Sequence, residues 1–138
     1  MKNVVCTIIG VVGGFVTTLL GGWDLGLQTL VIFMVIDYIS GLVIAGIFKK
    51  SDKTKSGGLD SNIGWKGLAK KCMTLLFILI AYRLDLMAGT NYIRTSVIIA
   101  FSANELISIT ENAGIMGLPV PKVIIDAIEV LKNKGEVR

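Results

Sequence analysis

The chain has 138 residues, of which 53% are hydrophobic, and 14 Lys and Arg against 10 Asp and Glu give it a net charge of +4. Its mean hydropathy of +0.73 is too high for a soluble domain and argues against a soluble enzyme. The chain contains no His, and Cys6 and Cys72 are far apart, which excludes a His-based metal site, a His-based triad and a CxxC metal site.

The first apolar run, residues 4–20, predicts an uncleaved membrane span, because no small-x-small cleavage site precedes Trp23. Gly10 and Gly14 in this run form a GxxxG pair, whose spacing lets two helix backbones approach closely in a membrane. Chance in a chain with 16 glycines explains the pair equally well. The main alternative is that this run lies in the membrane interface, which leaves three spans in the whole chain.

Residues 25–48 form the strongest predicted span, and Trp23 before it fits an interfacial anchor. Within this span Asp37 is followed at four-residue steps by Gly41 and Ala45. A polar residue followed by small ones on one helix face suits close contact with another helix. We interpret this stripe as helix packing rather than as part of a conducting path.

The basic charge lies in one connection rather than over the whole surface. Residues 49–71 hold seven Lys against two Asp, which is +5, so the remainder of the +4 chain carries −1. Short Lys-rich loops stay in the cytoplasm, which makes residues 49–69 a topology-setting loop. Nucleic-acid binding is the weaker alternative, since Trp65 is the only aromatic residue of the stretch and no stacking platform exists. The seven are Lys49, Lys50, Lys53, Lys55, Lys66, Lys70 and Lys71.

Two further spans are predicted at residues 70–88 and 92–110, joined by a Gly-Thr-Asn turn. Four spans with the Lys loop inside place both termini in the cytoplasm. The chain is therefore predicted to be one all-α membrane domain over residues 1–138.

A short tail follows the last span. Gly117, Pro119 and Pro121 stop the helix and form a predicted hinge. Beyond them, residues 122–134 separate polar from apolar side chains onto two helix faces. This pattern predicts an amphipathic helix that lies on the membrane surface or packs on a partner.

Asp37 lies 12 residues before Lys49, and Arg83 lies 12 residues after Lys71. At about 1.5 Å per residue, both side chains are then roughly 18 Å from the cytoplasmic surface. A charge at membrane depth needs a partner, so an Asp37–Arg83 ion pair is predicted across the helical hairpin. The alternative is that Arg83 lies near the outer headgroups beside Asp85 and extends its charge to water.

Polar residues in the fourth run project onto one arc, which covers roughly one third of the helix circumference at about 100° per residue. Such an arc must face protein or water. Lining an oligomeric pore and packing inside one subunit are both open interpretations. The candidate pore or oligomer face consists of Asn104, Glu105, Ser108 and Asn112.

Several segments together resemble the toxin-secretion/phage-lysis holin family of Gram-positive phages and clostridia. They are DYISG at 37–41, IGWKGLAKK at 63–71, and NELISITENAG at 104–114 running into GLPVP at 117–121. The resemblance covers residues 30 to 131. The matching positions are Asp37, Gly41, Gly64, Lys66, Gly67, Lys70, Lys71, Asn104, Glu105, Asn112, Gly117, Pro119 and Pro121.

The resemblance implies a protein that forms homo-oligomers in the bacterial cytoplasmic membrane and opens holes in it. A cell-wall hydrolase (an endolysin) or a large toxin then crosses, and neither enzyme activity nor a cofactor is implied. Two other functions remain open from the residues alone. One is a small ion channel or transporter subunit, and the other is a membrane adaptor that recruits a cytoplasmic protein.

Overall fold

Five α-helices and one π-helical turn make up most of residues 1–49 and 56–135, the parts of the chain that the computed structural model describes. No strand occurs in these parts, so the predicted all-α class is confirmed. The helices are α1 (Lys2–Leu19), α2 (Leu25–Val43, continued by the π-helix Ile44–Phe48), α3 (Ser61–Ala88), α4 (Ile93–Ile115) and α5 (Lys122–Gly135).

Local sequence explains where several helices begin and end. Asp24 caps α2 by accepting a hydrogen bond from the Leu27 amide at 3.0 Å, and Asp60 caps α3 in the same manner. At the end of α4, Gly117 adopts a positive φ of 84°, and the Leu118 amide donates back to the Ala113 carbonyl at 2.9 Å. This is a Schellman motif, and Pro119 then prevents the helix from continuing.

Among the helices in residues 1–49 and 56–135, three are long and apolar enough to cross a membrane, judged by length and composition. They are α1, α2 together with its π-helical turn, and α4. The fourth helix, α3, has 28 residues and begins at Ser61, nine positions before the predicted start at residue 70. It carries five charged side chains, which are Lys66, Lys70, Lys71, Arg83 and Asp85.

The helix α4 is central, with α2, α3 and α5 each packed against it. We call the end of the bundle where 49–60 joins α2 to α3 the lysine end, and the end where 20–24 and 89–92 lie the turn end. The apolar core lies in the half nearer the turn end. It consists of Leu20, Leu27, Leu30, Met34, Ile78 and Ile98.

The two terminal helices differ in how they meet this bundle. No residue of α1 is buried, although Leu20 directly after it belongs to the core. α5 instead turns back along α4, where Ile128 is buried. Gly135 at the end of α5 approaches Ala100 so closely that an added Cβ would lie 2.8 Å from the Ala100 Cα.

Candidate functional site

A cavity of about 450 Å³ lies among α2, α3 and α4 in the half of the bundle nearer the lysine end. Its wall combines apolar side chains with three acidic and three basic ones, so the formal charges balance. Charged groups are rare at membrane depth and mark functional surfaces when they occur. The six charged residues are Asp37, Asp60, Lys66, Lys70, Lys71 and Glu105.

Three of these side chains form an ion triad, Asp37–Lys71–Glu105, with one member on each of α2, α3 and α4. The Lys71 Nζ lies 2.8 Å from Asp37 Oδ2 and 2.8 Å from Glu105 Oε2. All three side chains are largely buried, with 10–16% of their surface exposed. One ammonium therefore compensates two carboxylates and joins three helices.

Asn112, about two helical turns after Glu105 along α4, extends the ion triad. Its amide nitrogen donates to Ser40 Oγ at 2.8 Å and to Asp37 Oδ1 at 3.2 Å. Asp37 thus receives hydrogen bonds on both carboxylate oxygens, as a buried carboxylate requires. Within the described residues, no buried side-chain nitrogen or oxygen lacks a partner.

Tyr38 brings α3 close to α2 beside the cavity. Its hydroxyl donates to the Gly64 carbonyl at 3.4 Å. A Cβ added at Gly64 would lie 3.2 Å from the Tyr38 hydroxyl oxygen, and a Cβ added at Gly67 would lie 3.7 Å from the Tyr38 ring. The absence of a side chain at Gly64 therefore permits this approach.

The structure replaces the predicted Asp37–Arg83 pair by Asp37–Lys71. Among the described residues Asp37 has Lys71 as its cationic partner, and Arg83 is exposed. The depth argument failed because it started α3 at Lys71. Because α3 begins at Ser61, Lys71 lies ten residues, or about 15 Å, from the start of its helix. Asp37 lies eleven residues before Phe48, where the preceding helix ends, so the two side chains are at about the same depth.

The predicted pore or oligomer face lies within the monomer along the cavity. Glu105 is buried and paired with Lys71 on α3, and Asn112 is buried and hydrogen-bonded to Ser40 on α2. These contacts agree with the interpretation that the polar arc packs inside one subunit. Ser108 is half-buried, Asn104 is exposed, and both line the cavity wall. A role for these four residues in a pore stays a prediction.

The predicted helix-packing glycines have no partner helix in the part of the monomer that the structure describes. A Cβ added at Gly10, Gly14 or Gly41 would meet no atom within 4 Å outside its own helix backbone. Gly41 instead lines the cavity, and Ala45 is buried beside it. Contact between copies of the chain through these glycines remains a prediction.

The lysines of the predicted topology-setting loop are spread over different environments. Lys49 ends the π-helix in the left-handed conformation, with φ of 51°. Lys66 and Lys70 line the cavity on α3. Lys50, Lys53 and Lys55 lie outside the described residues.

The turn with Gly117, Pro119 and Pro121 separates α4 from α5 where the hinge was predicted, and its motion stays a prediction.

A second polar group, the turn-end cluster of Asp24, Asp85 and Arg94, closes the opposite end of the bundle. Arg94 is 8% exposed and forms a bidentate pair with Asp24, with contacts of 2.7 and 3.1 Å. It also donates to the carbonyls of Leu20 and Gly22 in the turn after α1. This hydrogen bonding to Arg94 lowers the pKa of the Asp24 carboxyl below its ordinary value of 3.8.

Asp85 completes the turn-end cluster by capping the start of α4 from the end of α3. Its carboxylate accepts hydrogen bonds from the Ile93 and Arg94 amides at 3.0 and 2.9 Å, and from the Thr90 hydroxyl at 2.6 Å. The first amides of a helix lack intrahelical partners, so this carboxylate fixes the α3–α4 turn.

Sequence reasoning missed the roles of Lys71 and Arg94. A usable signal for Lys71 was present, since Asp60 followed by Ser61 and Asn62 is a helix start that places Lys71 inside α3. No comparable signal existed for Arg94, because its partners lie 70 to 74 positions earlier in the chain.

Within the described residues, no group of three potential metal-binding side chains occurs.

Comparison with known proteins gives relatives that cover most of the chain. A protein of Clostridium perfringens strain 13 is 34% identical over 139 residues, which cover 98% of this chain and 97% of the relative. A Listeria monocytogenes protein is 43% identical over 118 residues, covering 85% and 79%. A probable holin of Bacillus phage phi105 is 29% identical over 111 residues, covering 80% and 76%. No solved structure matches the chain significantly.

The model of the bacteriophage holin family matches residues 14–133. That segment contains the ion triad, the cavity and the turn-end cluster, together with nearly all of α5. The family consists of non-enzymatic membrane proteins. Since the match extends over most of the chain, this protein belongs to the bacteriophage holin family.

Proposed function

We propose that copies of this protein assemble in the cytoplasmic membrane and open holes that release a cell-wall hydrolase or a large toxin. The ion triad Asp37–Lys71–Glu105 is the observation that carries the proposal, because it places a charged cavity inside a bundle with apolar outer surfaces. Membership in the holin family supports the same function, as does the likeness to a probable phage holin.

A single copy is closed at the turn end. Six buried apolar residues fill the bundle beyond the cavity, and the Arg94–Asp24 pair lies at its end. The charged cavity is therefore a pocket rather than a passage through one subunit. Passage of a folded hydrolase requires a much wider opening, which only an assembly of several copies supplies.

Assembly is favoured by the exposed apolar surface of α1. This helix has no residue buried in the monomer, and its Gly10 and Gly14 face open space. Small residues at this spacing allow close helix contact between subunits in a bilayer. In the proposed topology the lysine end, the amino terminus and the turn that precedes α5 lie in the cytoplasm, as the excess of Lys in residues 49–71 favours.

The test is inducible expression in a bacterium that also carries a cell-wall hydrolase in its cytoplasm. Abrupt lysis is expected only when both proteins are present, and release of a cytoplasmic marker enzyme measures the hole. Expression of each protein alone is the control. An ion leak without enzyme release would identify a small channel instead, and growth without any leak would favour the adaptor function.

A matched pair of variants connects the hole to the cavity. Glu105→Leu removes one carboxylate of the ion triad and is expected to shift the time of lysis, because Lys71 then holds only Asp37. Glu111→Leu changes an exposed carboxylate on the same helix and is expected to leave the timing unchanged. Equal timing in both variants would show that the cavity does not control opening.

A further inference from the structure

The position of α5 along α4 sets its depth in the membrane. Gly135 lies against Ala100, and residues 100 to 115 of α4 span fifteen steps of about 1.5 Å, or roughly 22 Å. The 14 residues of α5 cover roughly 21 Å, so the helix runs back along α4 over that whole distance. Because α4 is a candidate membrane span, α5 lies at the depth of the bilayer rather than on its surface.

The two faces of α5 have opposite character. The face toward α4 carries Ile128, which is buried, and Leu131 and Gly135, which are half-buried. These positions recur at helical spacing and fall on one side of the helix. The opposite side carries four exposed polar residues, also at helical spacing. We call this side the α5 polar face, and it consists of Lys122, Asp126, Glu129 and Asn133.

The α5 polar face has little compensation within one copy. Its only ion pair within the described residues joins Lys122 and Asp126 at 4.0 Å, with both side chains well exposed. Charged groups at bilayer depth must face water, a partner or the bundle interior. This face is turned away from α4, so water in a cavity between several copies is the environment that satisfies it.

We propose that α5 lines the aqueous lumen of the assembled hole, with the α5 polar face toward water and Ile128 against α4. This inference rests on the proposed function and names the surface that contacts the passing solution. The ion triad then has a separate role, because Glu105 and Asn112 hold α2, α3 and α4 together behind the lumen wall.

The first experiment tests the docked position of α5 with a disulfide in a background with Cys6→Ser and Cys72→Ser. Ala100→Cys with Gly135→Cys places the two Cβ atoms within 2.9 Å in the structure, so a small shift gives disulfide geometry. Copper phenanthroline is expected to crosslink this pair within one chain. The matched control, Ala100→Cys with Asn133→Cys, has the second thiol on the far side of α5 and is expected to stay reduced.

The outcome of crosslinking is read on gels and does not depend on lysis. No crosslink at Ala100→Cys/Gly135→Cys would overturn the proposal, since α5 would then lie elsewhere. Oxidised protein that still releases the marker enzyme supports it, because α5 then remains on α4 while the hole is open. Loss of release on oxidation, with release restored by reductant, would also overturn it.

The second experiment tests water access in the open hole. Asn133→Cys and Leu131→Cys, each in the same background, are exposed to a charged, membrane-impermeant thiol reagent added after marker release begins. Only a hydrated thiolate reacts well, so Asn133→Cys is expected to react at least about tenfold faster than Leu131→Cys. Equal rates in cells that release the marker would overturn the lumen assignment and leave hole formation intact. Absence of release in the parent background would instead overturn the proposed function.

Discussion

The ammonium of Lys71 on α3 lies 2.8 Å from the carboxylate of Asp37 on α2. The same nitrogen lies 2.8 Å from Glu105 on α4, so one cation connects three helices at the wall of the cavity. Buried ion pairs cost desolvation free energy, and they persist only where each charge keeps its partners. Lys71 is therefore the residue on which the polar half of the bundle depends most.

Replacing Lys71 with Met is expected to lower the free energy of unfolding by about 3–5 kcal/mol, because two carboxylates are left buried without a cation. Adding Asp37→Asn and Glu105→Gln to this variant is expected to recover much of that loss. Thermal unfolding in detergent and accumulation in the membrane measure both effects. Lys70→Met is the control, since Lys70 is exposed and forms no ion pair among the described residues. An equal loss in both Lys variants would contradict the prediction.

A charge exchange distinguishes Lys71 from Arg83 as the partner of Asp37. Asp37→Lys alone places two cations together and is expected to reduce accumulation strongly. Combining it with Lys71→Asp is expected to restore part of the accumulation, whereas combining it with Arg83→Asp is expected to restore none. Immunoblots of isolated membranes give the comparison. Recovery with the Arg83 variant only would support the pairing inferred from sequence instead.

The Asp24–Arg94 pair predicts a pH-dependent difference between the protein and its Asp24→Asn variant. Asn also caps helices well, so the start of α2 is retained and the change isolates the ion pair. Because the pKa of Asp24 is lowered by Arg94, its stabilisation is fully present above the ordinary value of 3.8 and is lost as pH falls through the lowered pKa.

At neutral pH this difference is expected to be at most about 1 kcal/mol, because the Asp24 side chain is 53% exposed and screened by solvent. Melting temperatures of the two proteins measured from neutral to acid pH should converge below pH 3.8. A difference that does not change with pH would show that the pair contributes through something other than charge.

Two adjacent glycines separate backbone strain from the position of Arg94. Gly21 and Gly22 have φ of 94° and 106°, so alanine at either position is strained, by about 1–2 kcal/mol. At Gly21 a Cβ would also lie 2.6 Å from Arg94 Nε, whereas at Gly22 it meets nothing within 4 Å. Gly21→Ala is therefore expected to lower the melting temperature more than Gly22→Ala. Equal shifts would mean that Arg94 moves aside without cost.

The amino-acid sequence alone determined the helical class and the separation of apolar runs from one Lys-rich connection. These features follow from hydropathy, Gly and Pro positions and charge distribution, which act over short stretches of chain. The sequence also predicted that Asp37 needs a cationic partner, because an isolated charge at membrane depth is unfavourable wherever the helix packs.

Only the tertiary structure decided which partners meet. In the ion triad, Lys71 follows Asp37 by 34 residues and Glu105 follows Lys71 by 34 residues. Arg94 follows Asp24 by 70 residues, so no local sequence pattern reports any of these contacts. A nine-residue difference between the predicted and the observed start of α3 moved the partner of Asp37 from Arg83 to Lys71. The position of α5 likewise depends on the close approach of Gly135 to Ala100. Helix periodicity fixes which residues share a face, whereas packing against α4 fixes what that face meets.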